Sequence, residues 1–207
     1  MELIVINDNP YGQNIYVYFD SETREGVVID SGDSFETVRK VLEQNDITLK
    51  AILLTHGHFD HTFSVNELRA LTNAPVYAHV DETELLRNAE YNRSSLRGIE
   101  IIVEADKHFS DGDVFEISAN GKLKVIHTAG HTAGGVCYYD EENAFLFTGD
   151  TLFKETIGRT DMPTGNHDTL LKSIREKLFI LPENVTVFAG HEDSSTIAHE
   201  KKYNRAI

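Results

Sequence analysis

Cysteine is almost absent from this chain. Cys137 is the only one in 207 residues, so no intramolecular disulfide can form, and a reducing compartment suits the protein. It lies in GGVCYYD, which reads as a strand, so a small core hydrophobe is expected there rather than a nucleophile. Long apolar runs are missing too. No stretch approaches the ~20 residues that span a bilayer, and the opening MELIVINDNP has no basic leader and too short an apolar run for a signal peptide. A cytoplasmic protein with no membrane association is expected. Basic residues are scarce: 19 Lys and Arg stand against 34 Asp and Glu, for a formal charge of −15. Their only adjacent pairs are Arg39-Lys40 and Lys201-Lys202, which argues against a nucleic-acid partner. There is no Pro- or Ser-rich linker, no low-complexity tract and no repeat. Residues 1–207 therefore read as one domain, long enough to bury its own core without a disulfide or structural metal.

What is present alternates strands with helices. NIYVYFD (14–20) and GVVID (26–30) are β-branched and aromatic, with the polar turn SETRE between them. Val38, Val41 and Leu42 lie at helical spacing within 34–45. AILLT (51–55) reads as a buried strand, and the spacing of Val65, Leu68 and Leu71 predicts a helix with these three on one face. PVYAHV is a further strand, and DETELLRNAE carries acidic residues suited to a helix start. From about residue 113 strands dominate again, in DVFEI, KLKVIHTA, GVCYYD and NAFLFTGD. A long helix from Asp168, with Leu170, Leu171, Ile174 and Leu178 inward, precedes the strand NVTVFAG. This mixture predicts sheets sandwiched between helices.

The densest chemistry is THGHFDH, residues 55–61. His56, His58, Asp60 and His61 fall within six positions directly after an apolar strand. Imidazole and carboxylate at this density suit zinc, iron or manganese, and the lack of cysteine ligands argues against a structural zinc site. Alternate residues of an extended loop point the same way, so His56 and His58 can share one metal. Asp60 and His61, where the chain turns into a helix, can serve a second. Three more strand ends carry donors: His127 and His131 in KVIHTAGHTAGG, Asp150 in FLFTGD, and His191 in VTVFAGH. A lone histidine after a strand is weak evidence. Four donor-bearing strand ends in one chain point to a metal cluster.

In order, THGHFDH, GHT (130–132), FTGD (147–150) and AGH (189–191) resemble the metallo-β-lactamase superfamily. GRTD (158–161) and STIAHEKKYN (195–204) resemble its glyoxalase II-like hydrolases more particularly. The resemblance implies an α+β fold, the αββα sandwich, with the site at one edge between the sheets. It implies that His56, His58 and His131 bind one divalent metal ion and that Asp60, His61 and His191 bind another. Asp150 would bridge them. Zinc is the first choice, with iron or manganese as alternatives. Arg159 and Asp161 would lie near the site, their charges bracing the metal-binding loop. His127 is expected to be structural or to support a ligand, and His79, His108, His167 and His199 match no ligand position.

The implied activity is hydrolysis of a small-molecule hydroxyacyl thioester by a hydroxide bridging the two ions, with Asp60 orienting the attacking oxygen. No GxSxG elbow suggests a serine nucleophile instead. Ala129 and Ala133 stand where many relatives have proline, and Glu192-Asp193 where a glycine is common. Full-length glyoxalase II enzymes carry a further C-terminal helical region that touches glutathione; this sequence ends at Ile207, so another thiol carrier, ester or lactone is an alternative substrate. A persulfide dioxygenase, with one iron on His56, His131 and Asp150, is the alternative chemistry. A β-lactamase is disfavoured by the absent export signal and by Asp60 beside His61, and a non-catalytic metal-binding protein by the complete donor set.

Overall fold

The computed structural model describes all 207 residues. Its first sheet follows chain order: β1 (Glu2–Ile6), β2 (Ile15–Phe19), β3 (Glu25–Ile29), β4 (Thr48–Leu53), β5 (Val76–His79) and β6 (Lys107–Phe109). Between its later strands run α1 (Phe35–Gln44), the single turn α2 (Phe59–Thr62), α3 (Val65–Thr72) and the short α4 (Thr83–Leu86). The second sheet begins with β7 (Val114–Ser118), β8 (Gly121–His127), β9 (Val136–Asp140) and β10 (Phe145–Gly149). A small hairpin of β11 (Leu152–Phe153) and β12 (Thr156–Ile157) follows, then α5 (His167–Ser173), which runs on into a π turn over Ile174–Leu178. β13 (Thr186–Ala189) and β14 (Ser195–Thr196) complete the sheet, ordered β14-β13-β10-β9-β8-β7, before α6 (Ile197–Tyr203).

Strand alternation generates the layers. In β2, Ile15, Val17 and Phe19 face one apolar cluster with Val38 of α1, Leu68 of α3 and Leu86 of α4. Tyr16 and Tyr18 face the opposite cluster, between the sheets, where Val136, Tyr138 and Phe147 arrive from the second sheet. The other face of β9 sends Cys137 and Tyr139 against Leu170, Ile174, Leu178 and Ile197. Three stacked clusters make the αββα sandwich that the motifs imply. Each fully buried Leu, Ile or Phe contributes about 2–3 kcal/mol.

Some local expectations shift. Leu71 is 47% exposed, because α3 buries only Val65 and Leu68. The helix begun at DETELL stops after Leu86, where the chain turns to build a loop through residues 88–97. β6 is three residues long and its side chains carry little apolar pattern, so the sequence did not mark it.

Two parallel pairings set the active edge. β3 beside β4 aligns Ile29 with Leu53, and β10 beside β13 aligns Gly149 with Ala189. Residues just past these ends therefore emerge as neighbours. Cross-links hold the two sheets together there: Val136 N donates to Thr55 O (2.8 Å) and Tyr138 Oη to Leu54 O (2.7 Å).

Candidate metal centre

All seven predicted donors meet at that edge. His56 and His58 follow β4, Asp60 and His61 lie on α2, His131 follows β8, Asp150 follows β10 and His191 follows β13. Ligand atoms of His56, His58 and His131 lie within 4.8 Å of one another; so do those of His56, His61 and Asp150, and those of Asp60, His61 and His191. Asp150 stands between the groups. Its Oδ2 is 3.6 Å from His131 Nε2, whereas its Oδ1 is 3.2 Å from His61 Nε2 and 3.8 Å from His191 Nε2. Asp60 Oδ2 is 3.3 Å from His191 Nε2. Small residues permit this crowding: a Cβ on Gly190 would sit 2.3 Å from Asp150 Oδ1.

Whether these donors fit a cation can be read from the hydrogen bonds. His131 Nδ1 faces Arg159 O at 2.7 Å, His61 Nδ1 faces Asp30 Oδ2 at 2.8 Å and His191 Nδ1 faces Gly12 O at 3.2 Å. Each Nδ1 must carry the proton, leaving Nε2 as an inward lone pair. Thr55 Oγ1 donates to Asp30 Oδ2 (2.7 Å), so it accepts from His56 Nδ1 at 3.1 Å, and His56 Nε2 is likewise a lone pair. His58 presents Nδ1 instead, 2.9 Å from His131 Nε2. Among the buried polar atoms without a partner are His56 Nε2, His61 Nε2 and Asp150 Oδ1. Buried acceptors pointed at one another without donors are costly, and divalent cations satisfy them. The donor set fits a dinuclear centre.

Charge follows the same division. Burial, together with the neighbouring imidazoles, holds His56 well below its ordinary pKa and takes His58 down to about 3; burial also lowers His131. Neutral imidazoles are the ligating form. On the other side burial opposes charge, but Asp150 and Asp30 outweigh it and raise His61, while His61 in turn holds Asp150 well below the carboxylate range; the carboxylates draw positive charge to the His61 Nε2 position, which a bound cation would supply in place of a proton. Burial likewise opposes a shift at Asp60 and His191, yet their mutual hydrogen bond lowers the first and raises the second.

Two carboxylates outside the predicted set build this geometry. Asp30, φ +56 at the end of β3, orients His61 and also accepts from Thr55 N (2.7 Å) and Oγ1. Its signal was available, since GVVID ends an apolar strand in an acid as FTGD does. Glu82 is 1% exposed and accepts from Gly57 N (2.9 Å), Gly134 N (2.8 Å) and Thr132 Oγ1. It thereby ties the THGH loop to the GHTAGG loop. Nothing local to DETE announces that role.

Arg159 and Asp161 are placed differently from expectation. Their side chains are 62% and 68% exposed and bind each other, Nε to Oδ1 at 2.7 Å and Nη2 to Oδ2 at 2.6 Å. The brace on His131 comes from the Arg159 backbone carbonyl, not from charge. His127 stacks on His79 with centroids 4.0 Å apart, and its Nε2 faces Ala133 O at 2.8 Å. Both rings are engaged away from the centre. His108 lies exposed on β6 and His167 at the start of α5, and His199 bonds Glu155 at 2.8 Å. Glu192 has φ +66, the left-handed backbone that explains why glycine suits the position after the last histidine.

A cavity of about 440 Å³ opens over His58, Asp60, Asp150 and His191, rimmed by Phe59, Arg93, Leu96, Arg97, Arg159 and Met162. It is large enough for a small organic substrate.

Comparison with known proteins agrees with this geometry. The chain is 37% identical over 188 residues to the probable metallo-hydrolase YqgX of Bacillus subtilis, covering 90% of this chain and 89% of that one. It is 31% identical over 208 residues to the hydroxyacylglutathione hydrolase GloC of Haemophilus influenzae, covering 99% and 97%. Among solved structures, BLEG-1 B3 metallo-beta-lactamase superposes with a TM-score of 0.93 at 37% identity, covering 99% of this chain and 98% of that one. TTHA1623 in a di-iron-bound form does so with a TM-score of 0.86 at 29% identity, covering 99% and 100%. Residues 8–191 match the Metallo-beta-lactamase superfamily. With that match, the αββα sandwich and the His/Asp clusters at its edge, the chain belongs to the metallo-β-lactamase superfamily and is a metallo-hydrolase.

Proposed function

We propose that this protein hydrolyses a small-molecule acyl thioester of the hydroxyacylglutathione type at a dinuclear metal centre. The observation that carries the metal reading is the inward lone-pair array: His56, His58 and His131 would hold one ion, Asp60, His61 and His191 the other, with one Asp150 oxygen toward each. When bound, two divalent cations supply an acidified water and polarise the substrate carbonyl. Asp60, 20% exposed and lining the cavity, would orient the attacking water and accept its proton. Asp30, Thr55 and the carbonyls of Arg159 and Gly12 fix the ring orientations of His61, His56, His131 and His191, which pre-orients those ligands for the reaction. A thiolate departs with little protonation, and no other acid is needed at the rim. Zinc is our first choice of metal; the same donors accept iron or manganese, and the likeness to a di-iron-bound structure keeps iron in view.

The likeness to GloC supports the thioester class. The likeness to BLEG-1 supports a second reading, β-lactam hydrolysis by the same centre. Steady-state hydrolysis of S-lactoylglutathione and of a chromogenic cephalosporin by metal-replete protein separates them, with a chelated sample as control. Metal-dependent turnover of the thioester, exceeding that of the cephalosporin, is expected. Turnover of the cephalosporin alone would overturn the assignment. A protein saturated at one iron per chain that consumes oxygen with a persulfide would point to the dioxygenase chemistry.

A further inference from the structure

The rim of the metal cavity carries a charge that the rest of the molecule does not. In a chain with 34 acidic and 19 basic residues, the rim brings Arg93, Arg97 and Arg159 together, and its only carboxylates are the candidate ligands Asp60 and Asp150. Asp161 pairs with Arg159 and lies within electrostatic reach of Arg93 without forming an ion pair to it. The ion pairs found at Arg39, Arg87 and Arg159 have no counterpart at Arg93 or Arg97. Two unpaired guanidiniums beside a site for divalent cations repel that site unless an anion joins them.

The metal-binding segment itself holds the Arg97 guanidinium and the backbone beside Arg93. The Arg97 guanidinium lies 5.7 Å from the ring centroids of both Tyr11 and Phe59, and these rings meet edge to face at 5.0 Å. Phe59 sits between the candidate ligands His58 and Asp60. Arg93 has φ +72, a left-handed backbone that costs a non-glycine residue of order 1 kcal/mol. The buried residues on either side lock that conformation. Asn92 O accepts from Phe59 N (2.9 Å), Asn92 Nδ2 donates to Ile101 O (2.6 Å), and Ser94 Oγ accepts from Ile101 N (3.1 Å). Glycine or asparagine would remove the strain, yet an arginine stands there, and its side chain lines the cavity.

We propose that Arg93 and Arg97 form an anion-binding subsite at the cavity mouth, and that the natural substrate carries a carboxylate or phosphate on its thiol carrier beyond the scissile bond. The guanidinium fork pairs with either group, while Leu96 and Met162 cover the apolar stretch between. The position of the scissile bond rests on the proposed thioester hydrolysis; the charge of the rim does not.

The test compares three lactoyl thioesters with the same scissile group: S-lactoyl-N-acetylcysteamine, whose carrier is neutral, S-lactoylglutathione, whose carrier has carboxylates, and lactoyl-coenzyme A, whose carrier has phosphates. The proposal predicts that one anionic carrier exceeds the neutral one in kcat/KM by about tenfold or more, through KM, and that added salt shrinks the gap. Which anionic carrier wins identifies the group. R93A/R97A should bring the ratio towards one, with R93K/R97K restoring part of it. R93G should lose selectivity while melting no lower than wild type, which a merely structural arginine would not do. Equal kcat/KM for neutral and anionic carriers, or a double variant that slows all three alike, would overturn the proposal. If no thioester turns over, the hydrolase reading fails separately. Calorimetric titration with glutathione and with coenzyme A then decides the subsite: salt-sensitive binding of either that is lost in R93A/R97A supports it, and no binding of either, or equal binding by both proteins, overturns it.

Discussion

Asp30 commits both of its oxygens before any metal is considered: Oδ1 to Thr55 N, Oδ2 to Thr55 Oγ1 and His61 Nδ1. An asparagine in its place would set an amide NH2 against one of those donors and release the His61 ring. Asp30→Asn should therefore weaken binding of the second metal equivalent by about 10–100-fold, measured by chelator competition. Cys137 gives a residue prediction free of the metals. Burial pushes its thiol up to about 11. The fold therefore keeps the proton that the unfolded chain releases near 9, so this contribution is full below pH 9 and is lost as pH rises from 9 towards 11. That difference between folded and unfolded chain corresponds to roughly 2–3 kcal/mol. Native protein at pH 8 should not react with a disulfide reagent, whereas denatured protein should release one thiol per chain. The seven donors were legible because each follows an apolar strand. Asp30 obeyed the same pattern but lacked a histidine to mark it. Arg159 was legible as a neighbour of the site, but its contribution is a backbone carbonyl, which side-chain identity does not encode.

Among the elements, loops and the single turn α2 carry the site and strands only aim it. The THGH and GHTAGG loops come from different sheets, and Glu82 at the foot of α4 joins them through Gly57, Thr132 and Gly134. Burial raises its pKa against the pull of those three donors. Glu82→Ala would leave buried N–H groups unpaired, and a loss of about 2–4 kcal/mol is expected in denaturant unfolding. The same variant should release metal faster, because His56, His58 and His131 would no longer share one rigid frame. Unchanged stability together with unchanged metal retention would contradict this role. Strands β2, β3, β4, β8, β9 and β10 were readable from β-branched and aromatic runs. The early end of α4 was not: Leu85 and Leu86 continue a helical pattern, and only the contacts of the 88–97 loop with Phe59 and Ile101 decide where it stops.

At the scale of the molecule, the two sheets divide the work. The first supplies His56, His58, Asp60, His61 and the bracing Asp30; the second supplies His131, Asp150 and His191. Neither sheet alone assembles either ligand set, so metal binding should stiffen the whole sandwich and raise its melting temperature with the logarithm of free metal concentration. No helix is long and apolar enough to cross a membrane. The central claim is that seven side chains hold two ions in each chain. The most direct measurement is metal content per chain by mass spectrometry after saturation and dialysis, in wild type and in Asp60→Ala. Two ions per wild-type chain and close to one in the variant are expected, with the first set intact. One ion per saturated wild-type chain, or equal content in both proteins, would contradict that claim.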